Sequence, residues 1–344
     1  MFELEKWVRK NVLKLKPYSS ARDDFKGTAS VYLDANENPH TALYNRYPDP
    51  HQHKLKQKIS ALKKGIPVNQ IFLGNGSDEP IDLMIRAFCE PGIDNVLIPQ
   101  PTYGMYTVSA EINNVAIKIV KLTADFDLDV ESIKKSWNDH TKLIFLCSPN
   151  NPSGNLLSVD KIIQILKDFK GIVIVDEAYI DFTNFPGFIP MLNQFPNLVV
   201  LQTLSKAWGL AALRVGMCFA SSEIIAILNK IKPPYNISIV SQTAAEEGLD
   251  NEALKNEWVV KIIAERNKLE RELQKIKIVK KIFPSDANFL LVKVTQAKDV
   301  YQKLVERGII VRDRSNVILC EDCLRITIGT EEENRTLINE LNVI

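Results

Sequence analysis

The sequence lacks any apolar run close to the roughly 18 residues that are needed to cross a bilayer. Its first ten residues, MFELEKWVRK, are charged throughout and lack the apolar segment of a signal peptide. There is also no excess of one charge, since 43 Lys and Arg face 42 Asp and Glu. These absences argue against membrane insertion, secretion and general affinity for nucleic acid. We expect a cytoplasmic protein that binds neither nucleic acid nor membrane.

Cysteine and histidine are scarce as well, with five and four copies in 344 residues. Cys320 and Cys323 have the spacing of half a zinc site, but there is no second Cys-x2-Cys pair and no His-x3-His. We interpret this spacing as a coincidence. We therefore expect reduced cysteines and no metal site.

The sequence does contain a regular alternation of strand and helix patterns between about residues 70 and 220. The strand patterns are short, apolar and rich in β-branched residues, at 71–73, 96–99, 115–120, 143–147, 172–175 and 198–201. This alternation predicts an α/β fold with a mostly parallel, doubly wound sheet. A further short strand is predicted at 31–33.

The pattern changes after residue 237, where one long helical stretch is predicted to run to about residue 274. Strand patterns follow, among them 309–311 and 324–328, and Thr330 with Glu333 forms a capping box before the last helix. The pattern predicts a second, smaller α+β domain.

The predicted domain limits follow from this change of pattern. We expect a large domain over residues 31–237. We expect the small domain to comprise residues 1–30 and 238–344, with the N-terminal arm packed on it.

Lys206 follows the apolar strand pattern at 198–201. A lysine beside a buried strand end is costly to desolvate as an ammonium, and as a neutral amine it can form a Schiff base with an aldehyde. Thr203, Ser205 and Arg214 surround it in sequence and suit a phosphate on that aldehyde. Pyridoxal phosphate is such a molecule; a surface lysine in a loop is the alternative.

A second anion site is predicted at the glycine-rich turn of residues 74–80, which joins a strand to a helix. With Ser77 at the helix cap, free backbone N–H groups and the helix dipole favour a phosphate. Tyr103 follows another strand end, where a flat ring can stack on a planar cofactor.

Asp176 ends an uninterrupted β-branched run, and a carboxylate there needs a partner. A protonated pyridine nitrogen is a suitable one; a structural salt bridge is the alternative. Asn151 and Lys206 also follow strand ends, and we expect all three side chains to meet at one edge of the sheet. Tyr179 lies three residues beyond Asp176 and can donate to a phenolic oxygen.

Seven motifs occur in order over nearly the whole chain. They are LDANENP at 33–39, RYPDP at 46–50, PTYGMY at 101–106, SPNNPSG at 148–154, DEAY at 176–179, TLSKA at 203–207 and LRITIGT at 324–330. Together they resemble the fold-type I pyridoxal-phosphate aminotransferases, and among these the histidinol-phosphate aminotransferase family. The resemblance implies a three-layer fold and transamination between L-histidinol phosphate and 2-oxoglutarate, which gives imidazole acetol phosphate and L-glutamate in histidine biosynthesis.

The resemblance also implies a role for each matching residue. Lys206 forms the Schiff base, Asp176 pairs with the pyridine nitrogen, and Tyr179 bonds the phenolic oxygen, so these three are catalytic. The implied cofactor-binding residues are Tyr47, Gly76, Ser77, Asp78, Tyr103, Asn151, Asp176, Tyr179, Thr203, Ser205, Lys206 and Arg214. Tyr47 would reach in from the second subunit of a homodimer with shared active sites.

On the substrate side, the resemblance implies that Arg325 holds the carboxylate of glutamate and the phosphate of histidinol phosphate. Tyr18, Asn36 and Arg312 match further substrate-binding positions. The sequence departs from the family pattern at Ser153 and Ala212. Both are exchanges among small residues, and we expect them to leave the chemistry unchanged.

Other functions on the same fold stay open at this point. A threonine-phosphate decarboxylase-like lyase shares the cofactor residues, and a general aromatic or aspartate aminotransferase is a further alternative. A transcription regulator would need a DNA-binding module, yet only about thirty residues precede LDANENP. A purely structural cofactor-binding protein would not be expected to have both Tyr18 and Arg325.

Overall fold

The computed structural model describes residues 2–18, 29–40 and 43–344, which form two sheets with surrounding helices. The first sheet contains β1 (Ile71–Asn75), β2 (Asn95–Gln100), β3 (Ala116–Lys121), β4 (Thr141–Cys147), β5 (Ile172–Asp176), β6 (Leu198–Thr203) and β7 (Val215–Phe219). The second contains β8 (Val279–Ile282), β9 (Phe289–Val294), β10 (Arg312–Asp313) and β11 (Cys323–Thr327). The α-helices are α1 (Lys10–Lys14), α2 (His53–Leu62), α3 (Asp78–Phe88), α4 (Met105–Ile112), α5 (Val130–Ser136), α6 (Val159–Asp168), α7 (Ser222–Ile231), α8 (Ile239–Leu249), α9 (Glu252–Leu273), α10 (Ala297–Glu306) and α11 (Glu331–Asn342).

The seven-stranded sheet has the order β1-β7-β6-β5-β4-β2-β3. The run from β6 to β3 is parallel, and β7 is antiparallel to both of its neighbours. The prediction of a mostly parallel, doubly wound sheet is therefore confirmed. Because β4, β5 and β6 are adjacent and parallel, their carboxyl ends meet at one edge, with Cys147 opposite Asp176 and Asp176 opposite Leu201.

Helices cover both faces of this sheet, and β5 shows why. Its residues are all buried, and successive side chains of a strand point to opposite faces. Val173 and Val175 pack in one core cluster with Leu55 of α2 and residues of α6. Ile172 and Ile174 pack in another with residues of α3 and α7. The result is a three-layer arrangement, as expected.

The N-terminal arm packs on the seven-stranded sheet's side of the molecule, so the prediction that it packs on the small domain is wrong. Val8 and Val12 lie in the same core cluster as Met84 of α3. Arg9 Nη2 donates to Glu90 Oε1 at 3.2 Å, which fixes the arm at the end of α3. The apolar spacing of the arm predicts a buried face but does not identify the surface that covers it.

Residues 238–274 form two helices rather than the single helix predicted. α8 and α9 are separated by Asp250 and Asn251, and Asn251 Nδ2 donates to the Glu247 carbonyl at 3.1 Å. Short polar side chains of this kind compete with the helix backbone. Ala245 and Leu249 of α8 belong to a core cluster of the large sheet. The domain limits stay a prediction, and the one at 237/238 falls before a helix that packs with the first domain.

Two predicted strands differ from the structure. Residues 31–33 are not a strand, and their side chains are exposed. Residues 309–311 precede a strand that comprises only Arg312–Asp313. The Ile309 amide donates to the Leu304 carbonyl at 2.9 Å at the end of α10, so it is not free for the strand ladder.

The four-stranded sheet is antiparallel, in the order β10-β11-β9-β8, and pairs Arg312 with Arg325 across β10 and β11. Leu290 and Val292 of β9 pack against α9, α10 and α11. The capping box at Thr330 and Glu333 is present, as predicted. No helix in the described parts of the chain is both long and apolar enough to cross a membrane.

Candidate active site

A cavity of about 340 Å³ lies where the carboxyl ends of β4, β5 and β6 face the four-stranded sheet. Its lining is mostly polar and comes from both sheets. The lining residues are Ser77, Asp78, Tyr103, Cys147, Asn151, Asp176, Ala178, Tyr179, Thr203, Ser205, Lys206, Arg214, Arg312, Arg314 and Arg325. The cavity thus brings together Asn151, Asp176 and Lys206, the three groups that the sequence places at strand ends.

Lys206 follows β6 and its ammonium lies 5.7 Å from the centroid of the Tyr179 ring. Burial lowers the pKa of Lys206 from its usual value, and the nearby Arg325 and Arg214 guanidiniums lower it further, while Asp176 acts in the opposite direction. A lowered pKa increases the fraction of neutral amine. Neutral amine is the form that attacks an aldehyde and accepts a proton.

Asp176 ends β5 and is 2% exposed. Its carboxylate accepts a hydrogen bond from the Tyr106 hydroxyl at 2.6 Å and one from the Ala178 amide at 3.1 Å. Burial raises the pKa of Asp176 to about 6, and the Tyr106 hydrogen bond opposes this shift. A buried carboxylate of this kind is stabilised in its ionised form by a cation placed in the cavity.

Tyr106 is a residue of the site that the sequence analysis did not identify. It is fully buried, and its ring stacks on Phe145 of β4 at a centroid distance of 4.8 Å. The motif PTYGMY contains this tyrosine, but the motif alone does not show its role. Only the position of α4 in the fold shows that the hydroxyl reaches Asp176. A buried tyrosine hydroxyl needs a partner, and here the carboxylate is that partner.

A cradle of small residues and N–H groups lies beside Arg214. Gly76 has φ +71°, a backbone conformation that strains an L side chain, and a Cβ there would displace the end of the Arg214 side chain. Arg214 Nη1 is 3.4 Å from Ser205 Oγ, and Nη2 is 3.4 Å from Asp78 Oδ2. Ser77 precedes α3 and makes no side-chain capping bond, which leaves first-turn N–H groups for an anion.

Two more of the predicted residues, Tyr103 and Thr203, have partners within the site. The Tyr103 hydroxyl donates to Asp78 Oδ1 at 3.0 Å, and Thr203 Oγ1 lies 3.0 Å from Ser205 Oγ. Burial, together with the neighbouring Asp78, raises the pKa of Tyr103, so its hydroxyl stays protonated at neutral pH.

The opposite wall of the cavity carries three arginines, Arg312, Arg314 and Arg325. Arg325 Nη1 donates to Asn151 Oδ1 at 2.6 Å, and the guanidinium lies 5.4 Å from the Phe289 ring centroid. Arg312 and Arg325 were predicted as substrate residues, whereas Arg314 was missed. Arg314 lies two residues beyond Arg312, just past the two-residue strand β10, and the structure brings both side chains to the cavity.

Tyr18, Asn36 and Tyr47 do not line this cavity. Tyr18 and Tyr47 are 71% and 50% exposed, and the Tyr47 ring stacks on Tyr235 at 4.4 Å between centroids. Asn36 is exposed as well. Their roles stay predictions.

The residues of the cavity fit a planar cofactor that carries an aldehyde, a basic ring nitrogen and a phosphate. Lys206 supplies the amine, and the buried carboxylate of Asp176 supplies the counter-charge for a protonated ring nitrogen. The Gly76 cradle supplies the anion site, because a side chain at residue 76 would fill it.

The chain is similar to known proteins over nearly its whole length. The family model of aminotransferase class I and II matches residues 21–341. The histidinol-phosphate aminotransferase of Cytophaga hutchinsonii is 56% identical over 344 residues, which cover 99% of each chain. The solved histidinol-phosphate aminotransferase from Clostridium acetobutylicum has a TM-score of 0.79 at 28% identity, over 87% of this chain and 90% of that one.

A second solved structure shares the fold. The histidinol-phosphate aminotransferase from Sinorhizobium meliloti, in complex with pyridoxal-5'-phosphate, has a TM-score of 0.79 at 23% identity. The match covers 87% of this chain and 82% of that one.

Proposed function

Because this chain belongs to the aminotransferase class I and II family, we propose that it transfers the amino group of L-histidinol phosphate to 2-oxoglutarate. The products are imidazole acetol phosphate and L-glutamate, and the reaction is a step of L-histidine biosynthesis. The observation that carries this function is that Lys206 and Asp176 line the same cavity as a wall of arginines, which they face.

The cofactor of this reaction is pyridoxal 5'-phosphate. Asp176 would hold the ring nitrogen, Tyr103 the ring face, and the Gly76 cradle with Arg214 the phosphate. When bound, the cofactor supplies an aldehyde that takes up the amino group and a ring that accepts the electron pair left at the substrate's Cα.

Lys206 moves the proton in this reaction. Its lowered pKa provides the neutral amine that removes the Cα proton and later returns it. Tyr179 is buried beside it, and burial raises the pKa of its hydroxyl, which therefore remains a hydrogen-bond donor. Asp176 would keep a negative charge close to the ring nitrogen of the bound cofactor and so favour its protonated form.

The arginine wall orients the substrates. Arg325 is held by Asn151 and Phe289, so its planar fork faces the cavity in a fixed position. A guanidinium binds a carboxylate and a phosphate with the same fork geometry. One pocket can therefore accept glutamate and histidinol phosphate in turn.

We also propose a cytoplasmic homodimer with shared active sites. All five cysteines are free and buried, which suits a reducing compartment. Val31 and Leu33 are 68% and 89% exposed and lie on the segment that precedes Tyr47, and such apolar side chains favour a partner surface. Sedimentation should give twice the chain mass of 38.9 kDa, and a monomer with full activity would contradict the shared site.

A half-reaction tests the proposed function. The holoenzyme is mixed with L-histidinol phosphate without any keto acid, and the absorbance of the bound cofactor is followed. We expect conversion to the aminated cofactor, and reversal when 2-oxoglutarate is added.

Two other results would redirect the assignment. Conversion with an aromatic amino acid or aspartate, but not with histidinol phosphate, would indicate a general aminotransferase. No conversion with any amino donor, together with CO₂ release from threonine phosphate, would indicate a decarboxylase.

A further inference from the structure

Three guanidiniums converge on one wall of the cavity, and the backbone explains how. Arg312 and Arg325 are register partners in the β10–β11 ladder. Arg314 lies two residues beyond Arg312, just past the end of β10, and its side chain lines the same cavity. Its amide donates to the Cys323 carbonyl at 2.9 Å and its carbonyl accepts from the Val317 amide at 2.8 Å, so the side chain departs from a fixed backbone.

In the described part of the chain, the residues that line this wall include no carboxylate to balance its charge. Among the described residues, none of the three arginines forms an ion pair, and Asp313 instead accepts from Ser315. The Nε of Arg314 is buried and has no hydrogen-bond partner in the described part of the chain. Burial lowers the pKa of Arg314, and the neighbouring Arg325 and Arg312 lower it further.

The buried Nε of Arg314 is costly without an anion. Each buried donor without a partner carries a desolvation penalty of about 1–3 kcal/mol. A carboxylate brings one negative charge and two oxygens, and the fork of Arg325 can match these alone. A phosphate monoester brings nearly two negative charges and three free oxygens at neutral pH. The additional charge and oxygen match an additional guanidinium.

We propose that Arg314 is a specificity-determining residue, which binds the phosphate of the amino donor and leaves the carboxylate of glutamate to Arg325. This inference rests on the proposed function, because it names the residue of that same site that distinguishes the two substrates. Arg314 makes the pocket prefer a phosphate ester to a carboxylate, while Arg325 serves both.

Four proteins test this role: the wild type, Arg314→Gln, Arg314→Lys and the control Arg307→Gln. Arg307 lies just after α10, outside the cavity, and pairs with Glu340 at 3.2 Å, so its replacement removes one charge from the same part of the protein. The KM values for histidinol phosphate and glutamate are measured for each.

For Arg314→Gln we expect the KM of histidinol phosphate to rise about 10- to 100-fold, which is the range for losing a hydrogen bond between charged groups. The KM of glutamate and both kcat values should stay close to wild type. Arg314→Lys should restore part of the loss, and Arg307→Gln should behave as wild type.

Thermal unfolding and pH dependence distinguish this role from a structural one. The unliganded Arg314→Gln protein should unfold at the wild-type temperature or above, because a buried, unpartnered donor has been removed. In the wild type, the preference for histidinol phosphate over glutamate should rise with pH through about 6, where the ester gains its second charge. In Arg314→Gln this rise should be weaker.

Equal increases of both KM values would overturn the proposal, as would a lower unfolding temperature with an unchanged preference. If the wild type fails to use histidinol phosphate, the proposed function fails separately. In that event, inorganic phosphate and acetate are compared as stabilisers of the holoenzyme in thermal unfolding. If Arg314→Gln is stabilised less than the wild type by phosphate but equally by acetate, the result supports Arg314 as the phosphate residue. An equal loss of stabilisation by both anions would refute it.

Discussion

The two walls of the cavity are built differently. The cofactor wall comes from the ends of parallel strands and holds buried groups with partners within the protein, such as Asp176 with Tyr106. The substrate wall comes from a two-residue strand and its neighbour, and holds arginines without carboxylate partners in the described part of the chain. One wall is complete before substrate arrives, and the other is completed by the anion that binds there.

This difference separates chemistry from recognition. Rigid, buried groups can hold a proton or a counter-charge in place, because their surroundings do not rearrange during the reaction. A wall of unpaired cations gains free energy only when an anion arrives, so it selects which molecule enters. Substitutions on the cofactor wall should therefore lower kcat, and substitutions on the substrate wall should raise KM.

The largest effect is expected for Lys206→Ala. Without this amine, nothing removes the Cα proton, and we expect kcat to fall by about 10⁴ or more. The chain should remain folded, because the lysine borders a cavity and is not part of the apolar core. Lys261→Ala is the control, since Lys261 is exposed and pairs with Glu257 of its own helix. Continued transamination by Lys206→Ala, measured as glutamate consumption, would refute the assignment.

The next effect is expected for Asp176→Asn, which should lower kcat by about 10²–10³ because the counter-charge to the ring nitrogen is lost. The pH dependence of cofactor affinity provides a second measurement. The pKa of Asp176 is raised to about 6, so below that pH the carboxyl is protonated and cannot pair with a cation. Wild-type affinity should therefore be lower at pH 5 than at pH 8.

The phosphate of the cofactor ionises in the same pH range, so the variant serves as the reference. The fall in affinity should be smaller in Asp176→Asn than in the wild type. Identical pH profiles and a wild-type kcat in the variant would contradict the role of Asp176.

A smaller effect is expected on the substrate wall. Arg325→Gln should raise the KM of both histidinol phosphate and glutamate about 10- to 100-fold, since both anions lose a charged hydrogen bond. The kcat value should change less than it does in Asp176→Asn. Arg86→Gln, at an exposed ion pair with Asp82, is the control. A large loss of kcat with unchanged KM would contradict the assignment of catalysis to one wall and substrate binding to the other.

Much of the cofactor wall is predictable from the sequence. Asp176 ends one apolar, β-branched run and Lys206 follows shortly after another, and a charged side chain there requires a partner. Parallel neighbours bring strand ends to one edge, so their meeting follows once the sheet is predicted. Tyr106 was missed because its partner is 70 residues away along the chain.

The substrate wall is less predictable, since it depends on contacts between distant parts of the chain. Arg312 and Arg325 were placed there by family resemblance, and only the cavity lining shows that Arg314, just past β10, belongs to this wall. The N-terminal arm shows the same limit, because the spacing of Val8 and Val12 predicts a buried face without identifying its partner. Local patterns predict elements, and the tertiary structure decides what they touch.

The most direct test of a single cavity for both substrates is the steady-state rate over a grid of histidinol phosphate and 2-oxoglutarate concentrations. If Lys206 and the arginine wall serve each substrate in turn, the double-reciprocal lines are parallel. L-glutamate, the product from the second substrate, should then compete with histidinol phosphate. Intersecting lines would require both substrates to be bound at once and would contradict the single shared pocket.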